Sequence, residues 1–194
     1  MVMTTRCIST FLENMDHEFS EIDTPLTMQG FKVDGDFGIK PFCELRELKS
    51  VDYFFLSSTS NFIFYEFSDL PMQRMKLDKI SRNITRDKDN LITKKELAEV
   101  RKNIRAEIQK ELVKKFNDTC LINTRMRDSL TNIPPEFNQL PNYAVVVPPL
   151  NLEARDSVTI DTVRFLDVLK GTLRNSIPKA ICGNVKVVPL NCVS

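Results

Sequence analysis

Apolar residues recur along the chain with two different periods, and those periods divide it into elements. Ile8, Phe11, Leu12, Met15, Phe19 and Ile22 follow one another at steps of 3 and 4, which predicts an amphipathic helix over residues 4–22. Thr24-Pro25 would close it, because the residue before a proline is pushed out of the helical region. From Gly30 to Glu44 the chain alternates in F-K-V and then carries the turn residues D-G-D-F-G, the pattern of an irregular strand or hairpin. Val51–Ser57 and Asn61–Phe67 are rich in aromatic and β-branched residues and are joined by S-S-T-S-N, a hairpin pattern. So high an apolar density predicts strands covered on both faces, central in a sheet.

A helical period returns after Pro71. Thr93 and Glu96 have the spacing of a capping box. Leu97, Val100, Ile104, Ile108, Leu112 and Phe116 then form one apolar stripe, with Lys94, Lys95, Arg101, Lys102, Arg105, Lys110, Lys114 and Lys115 around the rest of the circumference. Tyr143–Val147 is a nearly continuous apolar strand stopped by Pro148-Pro149. Val163, Leu166, Leu169, Leu173 and Ile177 mark a further helix ended by Pro178, and Val185–Val188 a last strand. Three early strands followed by strand-helix-strand units predict an α/β fold, or α+β, with a mixed β-sheet flanked by helices. The length of 194 residues suits a single domain over 1–194. Its core would span 4–147, with a strand-helix-strand extension over 143–194.

Composition narrows the chemistry. The five cysteines are scattered without a C-x-x-C pair and His17 is the only histidine. Closed zinc sites, disulfide frameworks and His-rich centres are thus disfavoured, and a cytoplasmic, reducing compartment fits best. No apolar run is long enough to span a bilayer, so no membrane association is expected. The net charge of +1 hides an asymmetry: residues 1–73 carry 5 basic and 12 acidic side chains, residues 74–127 carry 16 and 8. Either the basic third meets a phosphate backbone, or the two thirds complement each other inside the protein.

Motif searches mostly exclude. Asp87 to Leu97 resembles a calcium loop, but Leu91 and Ile92 fall where a ligand and the turn glycine belong, and Glu96 comes two residues before the place of the loop's glutamate. No glycine-rich phosphate loop, dinucleotide fingerprint or G-x-S-x-G elbow occurs. Two carboxylates remain, each set in an apolar strand: Asp52 at the start of the first hairpin strand and Glu66 near the end of the second. Magnesium commonly takes one or two carboxylates together with substrate oxygens and water, so the pair could hold Mg²⁺ or Mn²⁺. The alternative is two ordinary solvated charges at sheet edges.

In the order of its elements and the placing of these acids the chain resembles the PD-(D/E)XK nuclease superfamily. That resemblance implies a restriction-endonuclease-like core of a helix, three strands, a helix and a further strand. It also implies metal ligands at Asp52 and Glu66, and a D/E-x-K triplet at Glu66-Phe67-Ser68. Ser68 stands where the group has its catalytic lysine, so the lysine would have to migrate, with Lys76 as the expected catalytic residue and Lys40 or Lys79 as further candidates. Glu18, Glu21 or Glu44 would supply an additional acid. The function expected is therefore a metal-dependent nuclease, or a catalytically inactive nucleic-acid-binding protein of nuclease-like fold. DNA or RNA would be held by Lys94, Lys95, Arg101, Lys102 and Arg105. Aromatic residues are not interleaved with these cations, so base stacking is not indicated on that helix. The rival is a non-enzymatic interaction module, a regulator or inhibitor that binds a protein partner.

Overall fold

The computed structural model describes residues 5–17, 19, 22, 23, 25–70, 72, 94–150 and 157–193. In chain order these form β1 (Arg6–Cys7), a 3₁₀ turn (Ile8–Phe11), β2 (Leu12–Asn14), β3 (Gln29–Lys32), α1 (Ile39–Phe42), β4 (Tyr53–Leu56) and β5 (Phe62–Phe67). There follow α2 (Lys94–Arg125), β6 (Leu130–Thr131), β7 (Asn142–Val147), α3 (Ser157–Ser176) and β8 (Val185–Pro189). Six strands make one mixed sheet in the order β2-β3-β4-β5-β7-β8. The pairings from β2 through β5 are antiparallel, and β5, β7 and β8 run parallel. This is the α/β architecture expected, a mixed sheet with flanking helices.

The two faces of the sheet are covered differently. Phe54, Phe62, Phe64, Tyr143, Val145 and Val147 pack with Leu112, Phe116 and Ile122 of α2 and with Leu166, Leu169 and Leu173 of α3. Tyr53, Tyr65, Ala144 and Val146, of opposite parity, pack with Met15, Phe19 and Leu190. β5 and β7 are therefore apolar on both sides, as their composition required.

One element differs from expectation. The helix predicted over 4–22 is, in its described part, β1, a 3₁₀ turn and β2. Ile8, Phe11, Met15 and Phe19 are all buried, while Leu12 is exposed. A 3₁₀ turn of three residues places Ile8 and Phe11 on one side. The chain then extends to pair Leu12–Asn14 with Gln29–Phe31. Steps of 3 and 4 fit a turn followed by a strand as well as a helix, and the sheet partner decides between them. The long helix starts close to where its stripe predicts and continues past Phe116 to Arg125, although Thr93 lies outside the described residues. No described helix is long and apolar enough to cross a membrane.

A loop aromatic closes the core. Phe137, on the 3₁₀ turn Pro135–Asn138, is 1% exposed, stacks on Phe62 at 4.3 Å and meets Phe54 and Phe31 edge-on at 5.5 Å. Phe137→Ala is expected to cost about 3–5 kcal/mol, read as a lowered midpoint in urea unfolding. A loss below about 1 kcal/mol would mean that the core collapses around the gap.

Candidate active site

β4 and β5 pair antiparallel with Tyr53 opposite Tyr65. Strand alternation carries Asp52 and Glu66 to the face of Phe54 and Phe64, the face that α2 covers. Glu66 is not a solvated edge charge, and Asp52 is partly buried. Glu66 is 2% exposed, and the Phe67 amide donates to Asp52 Oδ2 at 2.6 Å, so the Asp52 side chain ties the start of one strand to the end of the next.

The cation beside them comes from α2. Lys115 Nζ donates to Glu66 Oε1 at 2.6 Å. Glu66 Oε2 is buried and has no hydrogen-bond partner among the described residues. Burial pushes the Glu66 carboxyl up to about 8, the charge of Asp52 adds to the rise, and Lys115 opposes it. Burial also works against the Lys115 ammonium, but Glu66 and Asp52 hold its pKa above the ordinary lysine value.

Lys115 was not among the lysines expected at the site. Lys76 and Lys79 lie outside the described residues, as do Glu18 and Glu21. Lys40 pairs with Asp34, its Nζ 2.5 Å from Oδ1, and that acid lines the same cleft as Asp52. Glu44 is exposed on the turn after α1. A signal for Lys115 does exist in the sequence. It stands three residues after Leu112 and four before Thr119, so it shares their side of the helix, and both neighbours are buried. Read as one more cation on a basic circumference, it does not stand out.

A hydroxyl fixes Lys115 relative to Asp52. Thr119 is fully buried; its Oγ1 donates to the Lys115 carbonyl at 2.6 Å and accepts from the Val51 amide at 3.0 Å. The Lys49 amide likewise donates to Asp118 Oδ2 at 2.9 Å. On the far side of the helix seat, the Tyr143 hydroxyl donates to the Leu112 carbonyl at 3.2 Å. The segment entering β4 is thus fastened to the turn of α2 that carries the lysine.

Two clefts meet at Lys115 and Phe67. One, of about 270 Å³, lies at the carboxyl end of β5 and includes Glu66, Ser68, Asp69 and Glu111. The other, of about 390 Å³, includes Asp16, Lys32, Asp34 and Asp52. Burial raises the Asp34 carboxyl, but hydrogen bonds from Lys40 and the Gly35 amide, with the charges of Lys40 and Lys115, hold it below the usual range. Carboxylates outnumber ammonium groups in both clefts. Among the described residues no group of three or more His, Cys, Asp or Glu side chains is arranged to hold a metal ion.

The basic residues expected to hold nucleic acid are not gathered here. Lys95, Lys102 and Arg105 are exposed, and Arg105 lies ten residues before Lys115, about 15 Å along the helix. Its guanidinium is 6.0 Å from the Phe165 ring on α3, and it lines the α2–α3 groove with Lys102. The side chains of Lys94 and Arg101 lie outside the described residues. No family model, curated protein or solved structure matches the chain.

Two outcomes check this geometry. A carboxyl whose folded pKa is raised stabilises the fold below its unfolded pKa and loses that contribution as pH rises through the folded value. The wild type should therefore lose stability relative to Glu66→Gln between about pH 4.5 and pH 8, at no more than about 1.4 kcal/mol per pH unit. A difference in melting temperature that stays flat over this range would contradict the burial of the charge. Thr119→Val keeps the shape but leaves the buried Val51 amide without an acceptor. It should cost about 1–3 kcal/mol and expose the Val51 amide to faster hydrogen exchange.

Proposed function

We propose that this protein is a magnesium- or manganese-dependent phosphodiesterase of nuclease type, with a PD-(D/E)XK-like core in which Lys115 replaces the lysine missing at Ser68. The observation that carries this reading is Lys115 Nζ at 2.6 Å from Glu66 Oε1, on the sheet face that Asp52 shares. Chain order lends support: antiparallel β3, β4 and β5, then α2, then β7 parallel to β5, follow the order of that superfamily's core after its first helix. The first helix has no counterpart among the described residues, where β1, the 3₁₀ turn and β2 stand.

The donor set suits a divalent ion. Two carboxylates are what magnesium commonly takes from a protein, and Glu66 Oε2 is a buried acceptor with no hydrogen-bond partner among the described residues. Asp52 and Glu66 would hold the ion, which when bound would supply Lewis-acid charge to phosphate oxygens and acidify a water. The acids lining both clefts would repel a bare phosphodiester, so substrate binding there depends on neutralising them. Lys115, kept protonated by Glu66 and Asp52, would stand beside a phosphate oxygen and stabilise the charge that builds on it. With its pKa held up, it is suited to that role and not to proton abstraction. The exposed cations of α2 would hold the polyanion away from the reacting bond, with affinity that falls with salt.

A second reading, a non-enzymatic interaction module, draws on the α2–α3 groove, which carries the exposed apolar side chain of Val168 beside Ala98 and Ala106. Cleavage assays separate the two. Plasmid DNA and RNA are incubated with purified protein and Mg²⁺ or Mn²⁺, beside Asp52→Asn, Glu66→Gln and Lys115→Met. Metal-dependent cleavage is expected, abolished by chelator and reduced on the order of 10²-fold or more in each variant. Cleavage that persists unchanged in the Asp52 and Glu66 variants would remove this site. Neither cleavage nor salt-sensitive binding would favour the second reading.

A further inference from the structure

The cleft at the carboxyl end of β5 has features that a phosphate site alone does not require. It lies where ligands of open α/β sheets enter, beyond the carboxyl ends of parallel strands. Glu66 lines it, 2% exposed, with Oε2 lacking a hydrogen-bond partner among the described residues. Two of its lining residues are aromatic. Phe67 lines it and also the neighbouring cleft, and Phe19 faces it from the segment that covers the other side of the sheet. His17 stacks on Phe19 at 4.8 Å with 25° between the rings, and it lies 6.3 Å from Phe67. Edge contacts with Phe19 and Tyr53, both at 6.2 Å, hold the Phe67 ring in place.

We propose that this cleft takes one unpaired nucleobase beside the reacting phosphate, so that the substrate class is single-stranded nucleic acid; this rests on the nuclease reading above. Three physical points lead there. A duplex is stiff over about 150 base pairs and keeps its bases stacked, so it cannot lower a phosphate to a recessed carboxylate without unstacking. A single strand can bend into the cleft. The volume of about 270 Å³ suits one nucleoside-sized group, below the roughly 300–1,000 Å³ of ordinary small-molecule pockets. Aromatic rings beside a phosphate site offer each base a stacking partner whatever its sequence, while Ser68 and Asp69 can accept hydrogen bonds from exocyclic amines. The basic stretch of α2 lacks aromatics; the fold supplies them from the end of β5 and from His17 and Phe19.

Fluorescence anisotropy tests this with short labelled DNA and RNA strands, alone and as duplexes of the same sequence. Calcium replaces magnesium to slow turnover. Single strands of at least one of the two sugars should bind about tenfold or more tightly than the duplex. Phe67→Leu should weaken single-strand binding roughly 5-fold to 100-fold, the range for losing one stacked base, and leave duplex binding unchanged. His17→Ala provides a second variant at a half-buried position, read alongside circular dichroism to confirm folding. Equal affinity for duplex and single strands overturns the proposal. So does single-strand binding that neither folded variant weakens.

Its failure is distinguishable from failure of the nuclease reading. Equal cleavage of duplex and single strands that is lost in Glu66→Gln overturns the single-strand proposal and leaves the nuclease standing. Strand-selective binding lost in Phe67→Leu, with no metal-dependent cleavage, supports the base cleft and overturns the nuclease.

Discussion

A buried carboxyl and a partly exposed ammonium in direct contact, Glu66 and Lys115, are the constraint around which the rest of this protein is arranged. Moving either charge out of water costs several kcal/mol, and the pair repays that only in good geometry. A contact of 2.6 Å on one oxygen supplies part of the repayment. The other oxygen has no hydrogen-bond partner among the described residues, and burial, with the charge of Asp52, raises the carboxyl's pKa. A fold selected for stability alone would gain by placing apolar side chains at both positions. The pair sits in the packed seam between a central strand and α2, and the metal site proposed above rests on it.

Much of the surrounding structure holds this pair in register. The buried hydroxyl of Thr119 links the helix turn carrying Lys115 to the amide next to Asp52, and the Tyr143 hydroxyl anchors the preceding turn. Asp52 in turn receives the amide of Phe67, so both acids and the lysine are tied together through side chain–backbone bonds in the interior. Such bonds keep groups within a narrow range without calling on long exposed side chains, whose ordering is costly in entropy. The aromatic lining residues of the cleft belong to the same construction, since Phe67 directly follows Glu66 and packs on the opposite face of the sheet.

The parts of the fold that the sequence revealed are those in which local period and tertiary environment agree. The aromatic hairpin, the apolar β7 and the helix from Ile108 through Leu112 and Phe116 bury the faces that their spacing marks, while Val100 on the same stripe is exposed. The N-terminal segment misled because a 3₁₀ turn entering a strand buries Ile8, Phe11, Met15 and Phe19 at helical intervals. Which arrangement forms depends on β3, whose pairing is set by residues far along the chain. At the site, Asp52 and Glu66 stood out because charges are rare in such apolar strands. Lys115 did not, because a lysine in a lysine-rich helix has the same local surroundings whether it faces solvent or a buried acid.

By itself, then, the sequence determined that Asp52 and Glu66 lie on neighbouring strands of a helix-flanked mixed sheet, since alternation and turn chemistry are local properties of the chain. Only the tertiary structure decided which cation answers them, because Lys115 is 49 residues from Glu66 and meets it through the docking angle of a helix on a sheet. The same holds for the aromatic pair beside Lys115: Phe19 and Phe67 come together there only once the sheet has formed and both of its faces have been covered.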